Sequence, residues 1–208
     1  LRIPSNQNYN PCNHEVPGDF SSAAFLLAAA AVTSSQVKVK NLDYHTIQGD
    51  RAILDILKQM GSKVRVDDKF VEVEGGQLNA VDVDAKDIPD LVPVCAVLAC
   101  YSKGTSKIYN AKRLRYKESD RLGSLHAELK KMGAEIMIYE DSLTIRGPCT
   151  MHGVSIDPHN DHRIAMACAV AALRAVGETK IQNSESVNKS YPSFFDDLRL
   201  LGANVVGK

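Results

Sequence analysis

Ten residues near the middle of the chain, Lys112-Arg113-Leu114-Arg115-Tyr116-Lys117-Glu118-Ser119-Asp120-Arg121, carry five cations. In a protein with 25 Lys plus Arg against 25 Asp plus Glu, that local density exceeds what solvation asks. Such a cluster suits an anionic ligand. A blander reading pairs Glu118 with Arg121, three positions on, as a solvated ion pair worth roughly 0.2–0.5 kcal/mol. A second cluster, His159-Asn160-Asp161-His162-Arg163, opens an apolar run. No cysteine or second acidic ligand is spaced to complete a metal site there, so no metal and no cofactor are expected. Arg163 is the odd member: a cation in the first turn of a helix opposes the helix dipole and costs stability unless an anion lies close. Lys189, in Val187-Asn188-Lys189-Ser190-Tyr191-Pro192, is a third candidate, although a single lysine is most often plain surface.

The elements that must position these residues repeat three times. Asp19, Asp90 and Asp161 lie 71 residues apart, and each precedes an almost wholly apolar stretch: Ser21–Val32, Leu91–Cys100 and His162–Leu173. Helices with no polar face belong inside a core. Three amphipathic helices follow, Asp50–Gly61, Asp120–Gly133 and Pro192–Gly202. In the second, Leu122, Leu125, Leu129 and Met132 take the helical spacing, and each helix closes on a glycine suited to a left-handed cap. Short alternating runs predict strands at 36–39, 63–66, 70–73, 107–109, 135–138, 142–146 and 180–182. Each unit therefore reads helix, strand, helix, strand, strand, and the third stops at Lys208 without its return strand. Units of about 70 residues are too long for an ordinary solenoid. The expected fold is α/β (α+β): one domain over 1–208, with units at about 19–89, 90–160 and 161–208, its sheets packed around three buried parallel helices.

Each of the three aspartates can cap the helix behind it. If the helices run parallel, their N-termini emerge at one face and favour anions there. Composition restricts the partners further. The 44% hydrophobic and 24% charged content is that of a globular chain, and the formal net charge of zero argues against nucleic acid. The apolar runs fall short of a membrane span, and the N-terminus does not read as a signal peptide. The five cysteines include no CxxC pair, and Cys95, Cys100 and Cys168 fall in apolar stretches, which predicts free thiols in a reducing, cytoplasmic compartment.

Several strings together resemble one family. Pro17-Gly18-Asp19-Phe20-Ser21-Ser22-Ala23, Ile88-Pro89-Asp90, Lys117-Glu118-Ser119-Asp120-Arg121, Asn160-Asp161-His162-Arg163-Ile164-Ala165-Met166 and Lys189-Ser190-Tyr191-Pro192 are similar, in order, to the EPSP synthases (3-phosphoshikimate 1-carboxyvinyltransferases). The related UDP-N-acetylglucosamine enolpyruvyl transferases share the repeat but not the Lys-Glu-Ser-Asp-Arg and Asn-Asp-His-Arg strings. Family members begin with a Pro-Gly-Ser-Lys-Ser segment and carry two such domains facing across a cleft, an inside-out α/β barrel design. The resemblance therefore implies the second half of such an enzyme, completed by an N-terminal domain.

The implied reaction moves the enolpyruvyl group of phosphoenolpyruvate to the 5-hydroxyl of shikimate 3-phosphate and releases phosphate. By resemblance, Asp90 binds the shikimate hydroxyls and is base to the attacking one, while Lys117 contacts the same ring. Glu118 exchanges a proton with the methylene carbon of phosphoenolpyruvate. Arg121 and Arg163 clamp its carboxylate, and Lys189 meets its phosphate. Asp161 and His162 are expected to be structural. Arg113 departs from the asparagine common in the family near the shikimate. The competing expectation is a non-catalytic anion-binding domain of the same fold.

Overall fold

The computed structural model describes residues 1–68 and 70–207. In chain order the first unit contains α1 (Phe20–Thr33), β1 (Gln36–Lys40), α2 (Ile53–Met60), β2 (Lys63–Asp67), β3 (Phe70–Glu74) and β4 (Val83–Asp84). The second contains α3 (Val92–Cys100), β5 (Gly104–Tyr109), α4 (Arg121–Lys131), β6 (Glu135–Ile138), β7 (Leu143–Gly147) and β8 (Ser155–Ile156). The third contains α5 (His162–Ala172), β9 (Lys180–Ile181) and α6 (Phe194–Leu200).

α1, α3 and α5 are buried on every side because none has a polar face to offer water. The Ala28–Ala31 run keeps α1 thin, while Phe25, Leu27, Leu98 and Met166 fill the space around it, all with no exposure. Each such side chain contributes roughly 1.5–3 kcal/mol by leaving water. The three helices run in the same direction, as side chains at both ends show. At the N-terminal end Arg163 of α5 donates to the Ser21 carbonyl of α1 at 3.3 Å. At the far end the Tyr101 hydroxyl, just past α3, donates to the Ala171 carbonyl at 2.6 Å, and Arg174 donates to the Val32 carbonyl at 3.1 Å.

Two sheets cover this core with the same design. In the first, ordered β1-β3-β2, antiparallel register sets Val37 and Val64 on either side of Val73, and Val39 and Val66 on either side of Val71. In the second, ordered β4-β5-β7-β6, Ser106 and Ile136 flank Ile145, and Ile108 and Ile138 flank Leu143. Period-two alternation thus sends one set of β-branched side chains to the helices. Gly75 and Gly147, at matching places in the two units, mark where the return strand crosses the end of a core helix. A Cβ on Gly75 would lie 2.3 Å from the Ala30 carbonyl oxygen, and one on Gly147 would lie 2.6 Å from that of Ala99.

The sequence did not disclose β4 and β8. Each is two residues long and pairs in parallel with the first strand of the next unit, β5 or β9, so tertiary context rather than local pattern creates it. The third sheet is two-stranded, and residues 203–207 after α6 form no strand. Gly61, Gly133 and Gly202 follow their helices at φ 104°, 104° and 99°, the left-handed conformation expected of them. No helix among the described residues is long and apolar enough to cross a membrane.

Candidate active site

The three helix N-termini do meet at one rim, but the aspartates there have diverged. Asp19 caps α1, accepting from the Ser21 and Ser22 amides at 3.1 and 3.0 Å. Asp161 caps α5 through the Arg163 amide at 2.9 Å. Asp90 caps nothing. It sits inside a 3-10 turn, Pro89–Leu91, and α3 starts from Leu91 with Pro93 in its first turn. Proline has no N–H to cap, so this helix start makes less use of a cap. The Asp90 carboxylate is instead free to face the rim, which corrects the expectation of a third cap.

Arg121, the first residue of α4, organises what surrounds it and has no exposure at all. Its guanidinium donates from Nε to Asp161 at 2.9 Å, from Nη1 to Asp90 at 2.8 Å, and from Nη2 to Glu118 and, at 3.3 Å, to Asp161. The Glu118–Arg121 contact is thus one arm of a network around a fully buried guanidinium rather than an isolated pair, although Glu118 itself is exposed. Asp90 gathers two further cations: Lys117 Nζ at 3.3 Å and Arg163 Nε at 3.4 Å. Arg163 also donates to the Ser21 hydroxyl at 3.0 Å. The carboxylate demanded by a cation in the first turn of α5 is therefore Asp90, with Asp161 close by. Lys189 lies beside the cluster, donating to the Asn160 carbonyl at 2.5 Å. His162 is buried next to Glu118, its Nδ1 at 3.8 Å from Oε1.

Burial alone would raise the Asp90 carboxyl, but Arg163, Lys117 and Arg121 together hold it below the usual carboxylate range. Asp161 is also lowered: burial opposes ionisation, and the Arg121 hydrogen bond and charge overcome it. Burial and the neighbouring Arg163 push the His162 imidazole down, so the ring is neutral at pH 7. Asp50 behaves in the opposite way. Burial and the negative charge of Asp90 push its carboxyl up to about 6, against the pull of Arg163 and Lys117. Asp50 lies in the 3-10 turn Gly49–Ala52. Gly49 brings that turn within reach, because a Cβ there would stand 2.8 Å from the Asp87 carbonyl oxygen. Gln48 bonds the turn to α1, accepting from the Phe20 amide at 2.9 Å.

The structure therefore brings Asp90, Lys117, Glu118, Arg121 and Arg163 into one network and sets Lys189 at its margin. Sequence reasoning missed Asp50, Ser21 and Ser119, whose hydroxyl donates to Asp161 at 3.1 Å. The signal for Asp50 lay in the repeat, which sets Gln48-Gly49-Asp50-Arg51 opposite the segment ending at Arg121. Two of the five clustered cations belong elsewhere. Lys112 pairs with Glu140 at 2.9 Å, and Arg115 donates to the Tyr139 and Glu140 carbonyls at 2.8 and 3.0 Å, tying the loop to the β6–β7 turn. Among the described residues no three His, Cys, Asp or Glu side chains form a metal-holding group. A concavity of about 460 Å³, lined by Tyr101, Lys103, Pro148 and Arg174 among others, sits at the opposite helix ends and shares no residue with the network.

Residues 1–198 match the family model described as EPSP synthase (3-phosphoshikimate 1-carboxyvinyltransferase). The chain belongs to the EPSP synthase family. It is 52% identical over 207 residues, 99% of its length, to a Methanocella arvoryzae protein named 3-phosphoshikimate 1-carboxyvinyltransferase, and covers 49% of that protein. A Methanocaldococcus jannaschii protein of the same name is 45% identical over 98% of this chain, which covers 48% of it. Among solved structures, EPSP synthase from Acinetobacter baumannii superposes with a TM-score of 0.81 at 29% identity, over 90% of this chain and 46% of that one. The enolpyruvyl transferase NikO from Streptomyces tendae, at TM-score 0.74 and 24% identity, covers 91% of this chain and 44% of its own, and shares the fold. This EPSP synthase family chain thus spans about half the length of the curated relatives it matches. The α/β architecture of repeated units around buried parallel helices is the enolpyruvyl transferase fold.

Proposed function

We propose that this chain supplies one half of a cytoplasmic active site that transfers the enolpyruvyl group of phosphoenolpyruvate to the 5-hydroxyl of shikimate 3-phosphate. The observation that carries this reading is the shared network around Asp90 and Arg121, built from the residues that resemble the family's substrate-binding set. A second domain of the same design is the partner that completes the cleft, and residues 1–208 are one domain of the pair.

Asp90, ionised among three cations, takes the proton of the attacking hydroxyl, and Lys117 holds the same ring through its oxygens. Glu118 protonates the methylene carbon as the C–O bond forms, giving a tetrahedral ketal. It then takes a proton back as phosphate leaves. Arg163 and Arg121 hold the phosphoenolpyruvate carboxylate, and Lys189 holds its phosphate. The network adds a condition to this scheme. Four of the five Arg121 N–H groups meet carboxylates and the side chain is fully buried, so an incoming carboxylate competes with those already there. Displacing Glu118 would leave the bound substrate on Arg121 and release the acid that acts on it, coupling binding to protonation.

Steady-state phosphate release tests the reading. Residues 1–208 by themselves should turn over both substrates weakly or not at all, since the proposed cleft needs an opposing wall to exclude water. Adding the N-terminal domain of a close relative should restore turnover. A folded, associated pair that releases no phosphate would return the chain to the competing reading of a non-catalytic anion-binding domain.

A further inference from the structure

Away from the rim, at the C-terminal end of α3, two cysteines lie side by side. Cys100 is the last residue of α3 and has no exposure, whereas Cys149 lies just beyond β7 and is half-buried. The chain passes very close here because Gly147 lets the end of β7 ride over the helix carbonyls: a Cβ at that position would meet the Ser102 oxygen at 2.4 Å. Two residues later the Cys149 amide donates to the Cys100 carbonyl at 2.7 Å. A backbone bond of that length makes the two residues neighbours, the proximity needed by a disulfide, whose α-carbons lie about 4.4–6.8 Å apart. The two thiols are near enough for each to shift the titration of the other, Cys149 down and Cys100 up.

The surroundings of Cys149 favour its reactive form. Its Sγ accepts the Glu135 amide at 3.4 Å and, when protonated, donates to the Arg146 carbonyl at 3.1 Å. The Cys100 thiol bond pulls the Cys149 thiol down to about 6, with burial opposing and the Glu135 amide assisting. Cys100 is pushed well up by its bond to Cys149 and by burial, so it remains a protonated donor. An accessible sulfur beside a buried partner is the arrangement of a peroxide-sensing pair. Cys95 and Cys168 are buried, and burial raises both of their thiols.

We propose that Cys149 and Cys100 form a reversible redox pair that closes to a disulfide under peroxide. The Cys149 thiolate attacks one peroxide oxygen and the O–O bond breaks. The departing hydroxide takes a proton and leaves as water, giving a sulfenic acid. The Cys100 sulfur then attacks Cys149 Sγ; its proton joins the departing hydroxyl as a second water. The pair loses two electrons, and hydrogen peroxide is reduced to two waters. The bond ties the end of α3 to the outlet of β7 and leaves the rim's residues untouched.

The experiment uses the purified chain carrying Cys12→Ser, which removes the exposed thiol, treated with stoichiometric hydrogen peroxide, alkylated and digested. Expected is a single linked peptide joining Cys100 to Cys149, two hydrogens lighter than its reduced parts and lost on adding dithiothreitol. Cys149→Ser should abolish the link while Cys100 stays reduced. Iodoacetamide should label Cys149 at pH 7 at least several-fold faster in the wild-type chain than in a Cys100→Ala variant shown to be folded. Recovery of Cys149 as sulfinic acid with Cys100 still a thiol, or bonded only to another molecule, would overturn the proposal.

Discussion

Arg121 and Asp161, forty residues apart in sequence, are both wholly buried and bonded at 2.9 Å, so the first turn of one helix is fixed to the first turn of another. Removing one partner of a buried pair strands the other charge, which typically costs about 3–5 kcal/mol. Asp161→Asn keeps the cap on α5 but loses the charge facing Arg121, so we expect destabilisation near 3 kcal/mol, moderated by Asp90 and Glu118. Asp19→Asn, at the matching position of the first unit, keeps an equally good cap and strands no arginine. It should cost well under about 1 kcal/mol. Urea unfolding of both variants checks the contrast, and equal losses would contradict it.

For Glu118→Gln in the completed enzyme, shape survives and the titratable group does not. Turnover should fall roughly 10²–10⁴-fold, the scale of general acid–base catalysis. Near-normal turnover would assign the proton to another group.

Arg163→Lys keeps the charge but not the fork that bonds Ser21 and faces Asp90. Phosphoenolpyruvate binding should weaken while shikimate 3-phosphate affinity is largely kept. Titration calorimetry with each ligand decides, an equal loss for both arguing against a role at the carboxylate.

Stability should bend with pH in two opposed ways. Asp90 and Asp161 are held low in the folded chain, so the stability they contribute is present above the ordinary range near 3.8 and lost as pH falls through their folded values. Asp50, raised to about 6, binds its proton more tightly folded than unfolded. Its contribution is full below about pH 4 and disappears as pH rises toward 6. Asp50→Asn cannot ionise, so melting temperatures measured from pH 4 to 7 should rise relative to wild type as pH increases. A constant difference across that range would sink the assignment.

Gly75→Ala sets a methyl 2.3 Å from the Ala30 carbonyl oxygen, and backbone on both sides must move. Overpacking of this kind costs typically 1–3 kcal/mol. Gly177→Ala, where nothing lies within 4 Å but φ is 91°, tests strain without crowding. It should cost less, roughly 1 kcal/mol. Thermal unfolding ranks the two.

Much of this architecture is legible in the residues, because hydrophobic periodicity and the 71-residue spacing are properties of the chain itself. Val71 and Val73, alternating with charged neighbours, name their strand and its buried face before any fold is known. What stayed hidden depends on partners far along the chain. Two residues at Val83–Asp84 become a strand only because β5 lies alongside. Lys112 and Arg115 look identical in kind to Lys117 and Arg121, yet the β6–β7 turn claims the first two. Asp50 reads as an ordinary helix start; its burial, with Asp90 close by, makes it unusual. Composition can assemble a set of charges but does not say which of them will meet.

Copying a module also frees its parts. Two of the three equivalent aspartates fasten the starts of their helices, while in the middle unit a proline-led turn does so. Three helix starts are thus held with two carboxylates, and the remaining one is left to answer Lys117, Arg121 and Arg163.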